Sequence, residues 1–386
     1  MVRPASLLAL ALALLCSARA RGAFLPPGAA SAGGIFNMVL VYTDARSVPG
    51  SEWLLAPGDW ASLLVQCEAR LFDAVLLTGY MWSDGACFWP GQCKRPMALA
   101  DWLAVLDLWA GDAGARALGN ATVAAFGPGA ATKVFVTIPY PDERAQRFGV
   151  VGGRALNFSE PADRVFGACW WVSQVAARLA PLPGVALGGF YWYLEGTTAP
   201  DLAILPQVAA CVHAAGEGLK LAWIPSYEDG AAEGEAAQWR AAGFDFVTLQ
   251  PNYAFYDVGP ERFANASGVM AALGLGVEME LPLVVRNERI GCNATASFYA
   301  YLDSAAALGW YEPAGGAGGA LKTYYNGNDF AVYARDAASN ETLARRWDDI
   351  RAFVNGDYVP GQWRGARAKE LGARGCKQRR QGGGEE

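Results

Sequence analysis

Histidine is almost missing from this chain. Its 386 residues include one, His213, inside a stretch of helical periodicity and away from any strand end. Ser-His-Asp and Cys-His schemes need an imidazole beside the nucleophile, so this scarcity sets most of them aside. Imidazole-ligated metal sites go with them, and the absence of any C-x-x-C pair makes zinc an unattractive alternative. Walker-type phosphate loops are absent too. Charge of one sign is not concentrated anywhere: 31 Lys and Arg against 37 Asp and Glu give a net −6. Without a basic stripe interleaved with aromatics, nucleic acid is not expected as a partner. After the first twenty residues there is no apolar run of spanning length, and the polar C-terminus excludes a lipid-anchor tail. What remains is carboxylate chemistry with no cofactor expected.

What is present begins with a leader. "MVRP", then "SLLALALALLC", then "SARA" follow the charged, apolar and small-residue order of a secretory signal, placed at 1–22. A linker is expected at 23–35, a single domain at 36–358 and a disordered, Gly-rich and charged tail at 359–386. Five N-x-S/T sequons agree with a secreted, extracellular or lumenal product: Asn120, Asn157, Asn265, Asn293 and Asn340. Cys16 lies in the leader, which leaves Cys67, Cys87, Cys93, Cys169, Cys211, Cys292 and Cys376. Seven cannot all pair within one chain. Cys87 and Cys93 bracket "FWPGQ" and are expected to close a local loop; the others stay open, buried thiols among the options.

Eight β-rich apolar runs occur at 37–44, 72–80, 133–140, 187–195, 219–227, 244–253, 275–281 and 320–326. Most lack polar alternation, as strands of a buried parallel sheet do. Amphipathic stretches at 59–71, 97–111, 162–180, 201–217, 233–243, 260–274, 296–309 and 338–356 separate or follow them. Asp59 is the expected N-cap of the first, and several end in glycine. Eight strand–helix units predict a (β/α)₈ TIM barrel, α/β in class, closed by the last helix.

In such a barrel functional groups gather at the C-terminal strand ends. "GGFYWYLEG" ends its strand on Glu195, and "GVEMEL" carries Glu278 and Glu280, which period-two alternation places on one inward face. Carboxylates on strands 4 and 7 stand across the mouth from one another, the arrangement glycoside hydrolysis needs. Glu195 is the expected acid/base and Glu280 the nucleophile or base, with deeper Glu278 as a hydrogen-bonding support. Trp82, Phe88, Trp89, Tyr140, Trp223, Tyr227, Tyr253, Tyr324 and Tyr325 follow or occupy strands, and aromatic faces stack on sugars. Gln250, Asn252 and Asn326 offer paired donors and acceptors for hydroxyls. Asp44, Asp142, Glu228 and Asp229 read as solvated loop charges, and His213 as structural. A glycan is the expected partner; a barrel that binds carbohydrate without cleaving it is the alternative.

"FYWYLEG", "AWIPSYEDG", "AAGFDFVTLQPNYAFYD", "GVEMEL" and "TYYNGND", in that order, resemble the family catalogued as domain of unknown function 4855. The resemblance runs from about residue 36 to about residue 355. It implies a secreted, glycoside-hydrolase-type barrel and a site at Glu195, Trp223, Gln250, Asn252, Tyr253, Glu278, Glu280 and Tyr325. Pro282 departs from the aspartate frequent in that family, and Leu194 from the asparagine that precedes the strand-4 glutamate in clan A glycosidases.

Overall fold

Continuous apolar runs bury both faces of a strand, and each of the eight forms one. They are β1 (Asn37–Tyr42), β2 (Ala74–Thr78), β3 (Thr132–Ile138), β4 (Val185–Trp192), β5 (Lys220–Trp223), β6 (Phe246–Leu249), β7 (Gly276–Glu280) and β8 (Lys322–Tyr325). All neighbours pair in parallel and in chain order, and β8 returns to β1, so the sheet closes as an eight-stranded barrel. The computed structural model describes residues 23–44, 55, 57–66, 69–80, 82–91, 93–227, 234, 236–254, 258–281, 294–313, 318–337 and 339–361. The leader, Cys67, Glu228, Asp229, Cys292, Asn293, Cys376 and the tail beyond 361 lie outside them.

The strands stop short of their apolar runs. β5 ends before Pro225 and β6 before Pro251, because proline has no N–H to give to the ladder. What was apolar beyond those prolines becomes the wall of the mouth.

Outside the barrel pack α1 (Pro57–Leu64), α2 (Leu99–Ala110), α3 (Ala115–Phe126), α4 (Pro161–Leu179), α5 (Ala199–Ala215), α6 (Glu261–Leu273), α7 (Ala294–Leu308), α8 (Asp329–Asp336) and α9 (Glu341–Asn355). Three expectations need correction. α1 starts at Pro57, so Asp59 lies in its first turn instead of capping it. It ends at Leu64, and Val65–Gln66 then pairs antiparallel with Ala69–Arg70. Residues 237–243 form turns, with bonds from Trp239 N to Ala236 O and from Gly243 N to Arg240 O, where a helix was expected. α3 and α8 were not read from the sequence. In α3 the glycine that breaks the pattern is a packing device: a Cβ on Gly119 would stand 2.2 Å from the Pro183 carbonyl.

The segment expected as a linker lies against the base of the barrel. Leu25 N donates to Leu275 O at 3.0 Å and Leu321 N to Leu25 O at 2.7 Å, and Leu25, Ala32 and Ile35 are buried. Inside, Phe135 of β3 meets Phe246 of β6 edge-on at 5.6 Å. Higher up, the Thr248 and Thr323 hydroxyls bond at 2.9 Å. They meet because Gly276 between them has no side chain; its Cβ would lie 2.8 Å from Thr248.

Buried tryptophans join the helices to the strand ends. Trp109 donates to the Thr43 carbonyl at 2.7 Å and Trp171 to the Thr137 carbonyl at 3.0 Å. Truncating a ring of this kind costs about 3–5 kcal/mol. Cys87 and Cys93 are joined, as expected, and a second bridge links Cys169 of α4 to Cys211 of α5.

Candidate active site

β4 reaches the mouth through a bulge. Val134 pairs with Leu187 and Phe135 with Gly189, so Gly188 is passed over. A side chain on Gly188 would meet the Phe135 ring at 2.8 Å, and one on Gly189 would stand 2.1 Å from the Lys220 carbonyl. Only glycine fits there, and the extra residue resets which side chains face inward. Tyr191 and Tyr193 then share the face that leads to Glu195, while buried Trp192 meets Tyr140 edge-on at 5.9 Å.

Glu195 is half-buried, and its loop is held from both sides. Trp223 donates its indole N–H to the Leu194 carbonyl at 2.8 Å. Three residues on, the Thr198 backbone N–H and hydroxyl both donate to Asp201 Oδ2, at 3.0 and 2.7 Å, capping α5. The other oxygen of Asp201 accepts from Arg164 at 2.5 Å and from the Tyr140 hydroxyl at 3.0 Å. Asp201 and Arg164 are both essentially inaccessible, so a buried ion pair anchors the Glu195 turn to α4.

Across the barrel, Glu280 is fully buried and Glu278 nearly so, at 0% and 2% exposure. Glu280 Oε2 accepts from Asn252 N at 2.5 Å and from the Tyr301 hydroxyl, and Oε1 lies 3.3 Å from Asn252 Nδ2. These bonds hold Asn252 in the left-handed region at φ 57°. Asn252 also accepts from Ser226 at 2.8 Å and reaches Gln250 Oε1 at 3.3 Å, while Gln250 Nε2 donates to Ile224 O at 2.9 Å. Glu278 Oε1 is buried without a hydrogen-bond partner.

Each β7 carboxyl feels the charge of another acid. Burial pushes Glu280 up to about 8, its bonds to Tyr301 and Asn252 oppose that, and the Glu195 charge raises it further. Glu278 is raised well above the usual carboxylate range by burial first, then by the charges of Glu280 and Glu195. Thus β4 and β7 present their acids to a common space, and Glu280 retains its proton at neutral pH. Tyrosines wall that space. The charge of Glu278 reaches Tyr42 and Tyr191, that of Glu195 reaches Tyr191 and Tyr193, and Tyr42 meets Tyr325 edge-on at 5.6 Å.

Other expected members fall elsewhere. Trp223 is fully buried and stacked on Phe244 at 5.1 Å, so it supports β4 and has no open face for a sugar. The Trp82 side chain bonds Asp101, whereas Phe88 and Trp89 lie on Tyr193 at 5.6 and 6.1 Å, held by the Cys87–Cys93 loop. Tyr227 and Tyr253 are half-buried. Arg262 lies over the Tyr227 ring at 4.6 Å, and Tyr253 packs on Phe263 at 4.4 Å. Asn326, the residue after β8, is buried and accepts from Phe330 N. Asp44 and Asp142 are buried, not solvated: one accepts from Tyr80 N at 2.9 Å and the other pairs with Arg144 at 2.6 Å. His213 bonds Asp245 at 2.8 Å, at the base of the barrel. Sequence reading missed Tyr301, Arg164 and Asp201, which lie in helices and carry no local signal of what they touch.

Among the described residues no group of three or more potential metal-binding side chains occurs, and no helix is long and apolar enough to cross a membrane.

The family described as "Domain of unknown function (DUF4855)" matches residues 37–347. No curated protein matches. Among solved structures, concanavalin B is similar at 13% identity and a TM-score of 0.38, over 83% of this chain and 99% of its own. The GH53 catalytic domain of Ignisphaera aggregans matches at 14% and 0.38, over 80% and 84%. A glycoside hydrolase family 18 N-acetylglucosaminidase from Paenibacillus barengoltzii matches at 10% and 0.33, over 63% and 68%. Likeness at this level concerns the barrel alone.

Proposed function

We propose, for a chain that belongs to the family of domain of unknown function 4855, that it is a secreted glycoside hydrolase acting on a polysaccharide or glycan. One observation carries this reading: the charge of Glu195, at the β4 end, raises the proton affinity of Glu280 on β7 in a tyrosine-walled mouth. A pair of carboxyls, one protonated and one not, is the requirement for cleaving an acetal.

The sequence suggested Glu195 as proton donor. The electrostatics favour the reverse. Glu280, which keeps its proton to about pH 8, gives it to the departing glycosidic oxygen as the C–O bond breaks. Glu195, the more exposed member, attacks the anomeric carbon or takes a proton from the attacking water. In the first case water then hydrolyses the glycosyl ester. Trp89, Tyr227 and Tyr253 supply stacking surfaces, and Gln250 and Asn252 orient the rim. Two disulfides among the described residues fit an oxidising compartment.

Release of reducing ends from a panel of polysaccharides tests the proposal. Glu195→Gln and Glu280→Gln should each lower turnover at least about a hundredfold with the fold intact. Full turnover in Glu280→Gln would confine Glu280 to holding Asn252. That it is covered and fully bonded favours a second reading, in which the mouth binds glycan without cleaving it. Wild-type protein that binds glycans but releases no reducing ends would establish that alternative.

A further inference from the structure

Glu278 has no part in the chemistry above, yet it is the most unusual of the three acids. It is 2% exposed, lies on the inward face of β7, and its Oε1 has no partner. A buried polar group left unpaired costs about 1–3 kcal/mol. Neighbours that might have satisfied it are engaged elsewhere. The Thr248 and Thr323 hydroxyls below bond each other, and the Tyr191 hydroxyl donates to Tyr193 O at 3.2 Å. The buried cations are committed as well. Lys322 donates to Trp310 O and Ala320 O, and Arg262 to Pro251 O and Tyr227 O. The groups whose charges act on Glu278 are two further acids, Glu280 and Glu195.

Among the described residues, Glu278 Oε1 therefore has neither a donor nor a positive charge beside it. A sugar hydroxyl supplies the first only. An ammonium group supplies both, with three N–H donors, and the rings of Tyr42, Tyr191 and Tyr325 around it attract a cation. We propose that the hollow above Glu278 is a subsite for a sugar residue bearing a free amino group, its ammonium held by the Glu278 carboxylate and the surrounding tyrosines. The inference rests on the carbohydrate reading of this mouth, but not on turnover. It disfavours sugars that carry a carboxylate or sulfate at that position, which bring Glu278 no cation and meet the charge of Glu195.

A second consequence can be measured directly. Burial and the neighbouring acids raise Glu278 well above the usual carboxylate range. An arriving ammonium favours its ionised form, so the proton leaves to solvent as the sugar binds.

The test is titration calorimetry at pH 6.5, in two buffers of different ionisation enthalpy. The probes are the methyl glycosides of glucosamine and galactosamine, each beside its parent glucoside or galactoside. At least one amino glycoside should bind about tenfold or more tightly than its parent, with net release of protons. Glu278→Gln, or Glu278→Met if the first variant fails to fold, should abolish both the preference and the proton release, while Glu195→Gln keeps the preference. Amino glycosides that bind no better than their parents, or fail to bind at millimolar concentration, overturn the proposal. So does a preference that survives in the Glu278 variant. An inactive protein that prefers the amino sugar sinks the hydrolase reading alone; an active one indifferent to it sinks this inference alone.

Discussion

Glu280 shows how far a single side chain departs from its free chemistry once the fold closes over it. Its carboxyl titrates near its ordinary value of 4.5 in the unfolded chain and at about 8 in the folded one. Between those values the folded protein binds the extra proton, so stability is fully present below about pH 4.5 and declines as pH rises towards 8. Glutamine at this position mimics the protonated group and cannot ionise. The thermal midpoint of the wild type should therefore fall between pH 5 and 9 more steeply than that of Glu280→Gln. Parallel curves would mean that Glu280 does not hold a proton there. The same residue bears on catalysis separately: a donor that ionises near pH 8 gives kcat/KM a basic limb at about that pH.

At the scale of elements, β4 and the helices on either side of it form one working unit. Asp201 accepts four bonds, two from the Thr198 cap, one from Tyr140 and one from Arg164, and none of this is exposed to water at the acid itself. Breaking such a pair leaves buried Arg164 only the half-exposed Glu143, at 3.2 Å, and costs up to about 3–5 kcal/mol. Asp201→Asn should lose that much in urea unfolding, and the double variant Arg164→Met/Asp201→Leu should lose less than the single one. A double variant worse than the single would mean that bonding geometry, not charge, is what matters. The sequence made the staves legible because strands buried on both faces read as unbroken apolar runs. It gave the glutamates because alternation and strand ends are local properties. The reset of β4 at Gly188–Gly189 was not legible, since its cause is a ring on β3 and a carbonyl on β5. Nor was the anchoring of Glu195, because Arg164 and Asp201 stand 37 residues apart and meet only when α4 packs on α5. Trp223 misled for a related reason: a tryptophan beside a strand end looks like a subsite until its indole is seen to hold the next stave.

For the whole molecule, the same two helices are also joined covalently, and that bears on where the protein is made. The Cys169–Cys211 bridge closes a separation of 42 residues; the chain-entropy relation gives such a loop about 4 kcal/mol of stabilisation at 25 °C. A barrel of this size with an extensive core remains folded without that contribution, but less securely, so the bridge fits a protein matured where thiols oxidise. Sequons provide an independent check of the route. Asn120 on α3 and Asn265 on α6 are exposed on outer helix faces, as is Asn340, whose side-chain oxygen caps α9, while Asn157 is half-buried and bonded to Ser159. Passed through a eukaryotic secretory pathway, the chain should carry glycans at Asn120 and Asn265, read by mass spectrometry as conversion to aspartate after enzymatic removal. The same material should show Cys169 and Cys211 in one disulfide-linked peptide pair, and Cys169→Ala/Cys211→Ala should unfold about 4 kcal/mol more easily. Unmodified Asn120 and Asn265 together with free thiols at 169 and 211 would place the protein outside that pathway, and a polysaccharide outside the cell would then cease to be its substrate.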